Sequence, residues 1–174
     1  LQVKEKNSRR KEKMAGKIIG VFGSGSVGEK TPEWQTAYKV GRNIALNNGI
    51  VLTGGLGGVM TAASRGAREA GGTTIGILPG SRETSPPNPY VDIAIFTGMG
   101  EARNVINVKS CHAAIAIGGE YGTLSEIALA LKTGCPVVSL ASWQCSRIGR
   151  LVPVTTAVDP EEAVRKVMAA AGHR

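Results

Sequence analysis

The chain has little with which to build aromatic surfaces, metal clusters or disulfides. Phe, Trp and Tyr make up only 4% of its 174 residues, which argues against the stacked aromatic platforms of single-strand nucleic-acid binders. Its histidines, His112 and His173, are too few and too separate for a His-rich metal site. Three cysteines, Cys111, Cys135 and Cys145, stand far apart with no C-x-x-C. An odd, scattered set reads as thiols in a reducing cytosol rather than a disulfide framework. Cys111-His112 does not read as a nucleophile pair, because adjacent side chains on a regular element diverge. Cys111 reads instead as a buried thiol at an element boundary. No apolar run approaches the ~20 residues that span a bilayer, and the charged N-terminus lacks the apolar segment of a secretory signal. The expected location is therefore cytoplasmic, with no membrane partner.

Glycine, by contrast, is abundant, at 24 residues, and apolar residues reach 42%. That combination describes a compact domain with many tight turns. The net charge of +8 is unevenly placed. Residues 1–17 hold seven Lys or Arg against Glu5 and Glu12, whereas the rest of the chain carries fourteen basic and eleven acidic side chains. Most of the basicity thus belongs to a polar tail over residues 1–16, expected to be disordered. Met14 within it reads as an alternative start. Residues 17–174 are expected to form one domain, and the modest charge left to it argues against a nucleic-acid partner.

Periodicity and punctuation alternate regularly along that domain. Strands are expected at Lys17–Phe22, Ile50–Thr53, Thr73–Leu78, Val91–Phe96, Ala113–Ile117 and Pro136–Leu140, with a short one near Val152–Thr155. Helices are expected from Pro32 to about Asn47, Val59–Ala70, Glu101–Ser110, Thr123–Lys132, and from Pro160 onward. Thr31 and Asp159 each precede a proline and an acid, the pattern of a capped helix start. Such alternation predicts an α/β fold, a Rossmann-like parallel sheet of six to seven strands with helices on both faces.

In a sheet of this kind ligands sit at the carboxyl ends of the strands. Three glycine-rich turns fall there: Gly23–Gly28, Gly54–Gly58 and Gly118–Gly122. Glycine admits close approach of backbone to ligand, and a helix N-terminus favours phosphate. The first turn spells Gly23-Ser24-Gly25-Ser26-Val27-Gly28, the letters of a dinucleotide fingerprint. Its context argues otherwise. The helix start at Thr31-Pro32 comes several residues late, and the second strand ends Val51-Leu52-Thr53-Gly54 without the acid that would hold a ribose. No G-K-[ST] follows any turn, which removes the P-loop reading. Gly23, Ser24 and Ser26 are taken as one wall of a phosphate-ligand cleft. Gly54, Gly55, Gly57 and Gly58, with Met60 beside them, are taken as part of its floor.

The stretches FGSGS (22–26), TGGLGGVMTAASRGAREAGGTTIGILPG (53–80), GEARN (100–104) and GGEYGTLSE (118–126) resemble a family of small Rossmann-like proteins once called lysine decarboxylases. The family includes the LONELY GUY phosphoribohydrolases, the molybdenum cofactor carrier proteins and distant relatives of DNA-processing protein A. The resemblance covers about residues 17–140. It implies a homo-oligomer, dimer or tetramer, with ligand at the sheet's carboxyl edge. By that match Glu126 takes the place of the hydrolase's catalytic glutamate and Arg103 that of its arginine. Gly119, Gly122 and Thr123 take the phosphate-binding positions.

Within the resemblance, the chain departs from the hydrolases. Gly118 replaces a proline, Glu120 replaces a glycine of the phosphate loop, and Asn104 stands where they have lysine. A carboxylate beside a phosphate is repulsive. These departures place the chain nearer the carrier branch. The expectation is a binding protein for a phosphorylated small molecule, a nucleotide or molybdopterin, with no other cofactor required. The alternative is a hydrolase of nucleoside 5′-monophosphates, with Glu126 assisting departure of the base and Arg103 stabilising charge.

Overall fold

A computed structural model describes residues 16–152 and 154–172. The tail expected to be disordered falls almost wholly outside the described residues, as does His173. Seven strands form one parallel sheet: β1 (Ile18–Gly23), β2 (Ile50–Thr53), β3 (Thr74–Leu78), β4 (Ile93–Phe96), β5 (Ala113–Ile117), β6 (Val137–Leu140) and β9 (Thr155–Ala157), in the order β4-β3-β2-β1-β5-β6-β9. Five α-helices connect or follow them: α1 (Pro32–Leu46), α2 (Val59–Glu69), α3 (Asn104–Ser110), α4 (Tyr121–Thr133) and α5 (Pro160–Ala171). The chain builds the sheet outward from β1 to β4, then returns to the other side of β1 with β5. The order therefore reverses between β1 and β5, where an open α/β sheet leaves a crevice at its carboxyl edge.

Successive side chains on each central strand enter opposite cores, as a pleated strand covered on both faces requires. Ile19, Val21, Val51, Ala113, Ile115 and Ile117 pack with Ala37, Val40 and Ile44 of α1, Val59 and Ala63 of α2, and Val164 and Val167 of α5. Phe22, Leu52, Ile77, Ala114 and Ala116 pack on the opposite face with Val108 of α3 and Ile127 and Ala130 of α4. Alanines on β5 let α4 lie close to the sheet. Burying a Leu, Ile or Phe side chain contributes roughly 1.5–3 kcal/mol, so these two layers are the main stabilising terms.

Thr31 caps α1, its hydroxyl accepting from Trp34 N–H at 3.3 Å. Asp159 caps α5 in the same way, accepting from Glu162 N–H at 2.7 Å. Elsewhere the structure shifts the expected bounds. α4 begins at Tyr121 rather than Thr123, because Glu120 adopts the extended N-cap conformation without a side-chain cap. The expected helix from Glu101 divides into a 3-10 turn, Gly100–Arg103, followed by α3. The last sheet strand is Thr155–Ala157, beyond the expected Val152–Thr155, since it is the segment that pairs with β6. The apparently irregular stretch before it holds a small antiparallel hairpin, β7 (Ser146–Arg147) with β8 (Arg150–Leu151).

Candidate functional site

A cavity of about 370 Å³ opens at the reversal point. β1 and its turn contribute Val21, Phe22, Gly23, Ser24, Gly25 and Ser26; Gly54 and Met60 come from the β2 turn and the start of α2. Arg103 and Asn104 enter from the 3-10 turn and α3, and Glu120, Gly122, Thr123 and Glu126 from the start of α4. Its volume falls in the range of small-molecule sites.

Of the sequence-designated residues, Gly23, Ser24, Ser26, Gly54, Met60, Arg103, Asn104, Gly122, Thr123 and Glu126 line this cavity. Gly55, Gly57, Gly58 and Gly119 are not among the residues that line it, and their lack of a side chain serves the protein's own packing. A Cβ on Gly57 would strike the Gly25 carbonyl, and one on Gly58 the backbone of Ser24 and Gly25. The β2 turn is thereby pressed onto the β1 turn, and Val59 N–H donates to the Ser24 carbonyl at 2.9 Å. A Cβ on Gly119 would strike the Thr123 side chain.

α4 begins differently. Glu120, its N-cap, makes no side-chain cap bond, and among the described residues no acceptor reaches the N–H groups of Tyr121, Gly122 or Thr123. Open first-turn amides and the positive end of the helix dipole suit an anion. Thr123, 3% exposed, lines the cavity, and its hydroxyl has no hydrogen-bond partner among the described residues. The hydroxyls of Ser24 and Ser26 lie 2.9 Å apart on the opposite wall.

Arg103 is 9% exposed, an unusual place for a guanidinium without a carboxylate partner. Its Nη1 donates to the Gly54 carbonyl at 2.7 Å and to the Ile77 carbonyl, tying together the ends of β2 and β3. Its other N–H groups have no protein acceptor, and no carboxylate lies within ion-pair distance among the described residues. Burial draws its pKa below the usual arginine value, and the more distant charges of Glu126 and Glu101 oppose that shift. A buried cation short of an anion is costly alone and stabilised by one.

Glu126, one turn inside α4, accepts from Asn107 Nδ2 at 2.9 Å. Burial pushes its carboxyl up to about 7, against the lowering influence of the Asn107 bond and the Arg103 charge. Near neutral pH it is thus divided between acid and carboxylate, able to donate or to accept. Asn107 Oδ1 is buried without a hydrogen-bond partner among the described residues, so an amide turned half around would instead accept a hydrogen bond from the neutral Glu126 acid. Asn104 is held by Nδ2 to Ser125 Oγ at 2.8 Å. Sequence reading does not find Asn107, because its role exists only through the packing of α3 against α4.

A seven-stranded parallel sheet with helices on both faces and a cavity at its reversal point defines the class, that of Rossmann-like α/β proteins. Within it, the chain belongs to the SLOG cluster4 family, whose match spans residues 16–168. The molybdenum cofactor binding protein from Rippkaea orientalis is 41% identical, with a TM-score of 0.77 over 90% of this chain and 98% of that one. The molybdenum cofactor carrier protein of Chlamydomonas reinhardtii is 38% identical, with a TM-score of 0.78 over 91% and 99% of the two chains. An uncharacterized protein of Archaeoglobus fulgidus is 49% identical over 122 residues, 70% of this chain and 78% of that protein.

Proposed function

We propose that this protein is a cytoplasmic carrier for a phosphorylated cofactor of the molybdopterin type. The observation that carries the reading is the pairing of the open amides of α4 with the unneutralised, buried Arg103 in one cavity. A phosphate meets both needs at once, through charge-assisted bonds from the guanidinium, the amides and the Thr123 hydroxyl. Ser24 and Ser26 offer further hydroxyls. The likeness to a molybdenum cofactor binding protein and to a molybdenum cofactor carrier protein supports molybdopterin over a simple nucleotide. Among the described residues no helix is long and apolar enough to cross a membrane.

Arg103 is occupied on one side by strand-end carbonyls. That fixed position suits holding a bound anion better than stabilising charge as a bond is split. The test is native mass spectrometry of the full chain titrated with molybdopterin and, separately, with AMP. The expected result is a 1:1 molybdopterin adduct and unchanged AMP. Absence of an adduct with either compound overturns the proposal, and release of adenine from AMP replaces it with the hydrolase reading.

The same reading takes the carrier to be a dimer or tetramer. Ile93 and Ile95 on the edge strand β4 are 49% and 45% exposed and offer an apolar face for it. A monomer mass by light scattering would remove that part.

A further inference from the structure

Two cysteines that are 24 positions apart in sequence meet in the fold. Cys111 follows α3 and Cys135 follows α4, each just before the strand it leads into, β5 and β6. Their Sγ atoms lie 3.8 Å apart in the core layer beneath α3 and α4. The Cys111 sulfur packs over Gly20 of β1, where a Cβ would come within 3.1 Å of it. Side-by-side thiols in an apolar layer are compatible with simple packing. The surroundings of Cys135 add something else. It forms part of the wall of a second surface cavity, of about 230 Å³, at the sheet edge remote from the ligand cleft. Gly134, Pro136, Thr155 and Lys166 line that cavity with it. Cys135, although only 2% exposed, is the one of the two cysteines that borders this cavity, and Cys111, 4% exposed, is its sulfur neighbour.

We propose that Cys111 and Cys135 form a redox-active dithiol, in which a hydroperoxide oxidises Cys135 and Cys111 resolves it to a disulfide. The Cys135 sulfur attacks the peroxide O–O bond, takes one oxygen as a sulfenic acid, and the other oxygen leaves as water (with hydrogen peroxide) or an alcohol. The Cys111 sulfur then attacks the Cys135 sulfur. The S–S bond forms, the S–O bond breaks, and the hydroxyl leaves with the Cys111 proton as water. Two thiols lose two electrons and two protons in all, and the peroxide is reduced. The sulfurs must close from 3.8 Å to about 2.05 Å for the bond to form. The bond would link the C-terminal ends of α3 and α4, the two helices that carry Asn107 and Glu126.

The experiment uses the full chain carrying Cys145→Ser, so that no third thiol competes. Folded protein is treated with hydrogen peroxide, quenched, alkylated after denaturation and digested for mass spectrometry. The expected product is a Cys111–Cys135 linked peptide, lighter by two hydrogens and restored by dithiothreitol. Adding Cys111→Ala removes the resolving thiol and should leave Cys135 as a sulfenic acid trapped by dimedone. Alkylation of both cysteines after peroxide, with no linked peptide, overturns the proposal. Dimedone found on Cys111 in a Cys135→Ala chain, but not on Cys135 in the Cys111→Ala chain, overturns the order of attack. Should either alanine variant fail to fold, the linked peptide in the Cys145→Ser protein decides the matter alone.

Discussion

Two helices, α2 and α4, start after glycine-rich turns at the same edge of the sheet, and the protein satisfies only one of those starts. At α2 the preceding turn is pressed against the β1 turn, and the Ser24 carbonyl accepts the Val59 amide. At α4 the first-turn amides have no acceptor among the described residues, and Gly122 and Thr123 line a cavity together with Arg103. Glycine therefore has different work in the two places. In the β2 turn it lets two backbones touch, and a side chain would collide with protein. At Gly122 a Cβ would meet nothing within 4 Å, and the residue lines the cavity. The one turn is a structural joint, and the other borders open space at the cavity.

The comparison breaks most visibly at Gly58. Its φ of 59° and ψ of −128° belong to a region that L side chains avoid, and its Cβ would overlap the Ser24 and Gly25 backbone. Strain and overlap together predict that Gly58→Ala loses about 3 kcal/mol or more of stability. Urea unfolding should show a large fall in midpoint, or no folded protein at all. A loss under about 1 kcal/mol would mean the two turns are not rigidly joined.

Glu126 tests the open side through pH. Its carboxyl is raised to about 7 in the folded protein by burial, above the value of an unfolded chain. A raised carboxyl binds more protons folded than unfolded across that interval. Stability from Glu126 is thus full below about pH 4.5 and declines as pH rises toward and through 7. The span corresponds to roughly 3 kcal/mol at most. Glu126→Gln, which stays neutral, should flatten the decline and make the variant more stable than the parent at pH 8. Urea titrations at pH 5, 6, 7 and 8 measure it, and parallel profiles for the two proteins would refute the assignment. Anion binding at the same cavity should favour the protonated acid, so phosphorylated ligands are expected to bind more tightly at pH 6 than at pH 8.

The alternation of strands and helices was legible because both faces of the sheet are buried, which leaves continuous apolar runs between capped helices. β2 and β5 fall at the expected residues, Ile50–Thr53 and Ala113–Ile117. The hairpin β7–β8 was not legible, since two-residue strands carry no periodicity. In the site, Arg103, Thr123 and Glu126 were named from the resemblance, yet the uses of Arg103 were not. Its bonds to Gly54 and Ile77 depend on strand ends brought together by the fold. Asn107 and the Cys111–Cys135 contact were hidden for the same reason. Each joins two elements far apart in sequence, and no spacing announces it.

Arg103 separates the structural and ligand roles within one side chain. Arg103→Met keeps bulk but removes the carbonyl bonds and the charge, with an expected stability loss of about 2 kcal/mol and roughly 10–100-fold weaker binding of molybdopterin. Arg103→Lys keeps the charge but cannot hold two carbonyls and reach the cavity with a fork. It should recover part of the binding in calorimetric titrations. Equal affinity in all three proteins would show that the guanidinium serves only the strand ends.

Gly122 gives the smallest effect and the sharpest contrast with Gly58. It lies in the first turn of α4 without a positive φ, and its Cβ position is open. Alanine there improves helix propensity, so Gly122→Ala should leave stability unchanged or raise it by up to about 1 kcal/mol. The added methyl nevertheless stands at the cavity wall beside the amides expected to hold phosphate. Binding of molybdopterin should weaken roughly tenfold, a change of about 1.4 kcal/mol, even as the unfolding midpoint holds or rises. Opposite signs for stability and binding at one position are what a receptor turn requires. If both fall together, Gly122 belongs with Gly58 as a packing residue, and the distinction between the two helix starts is lost.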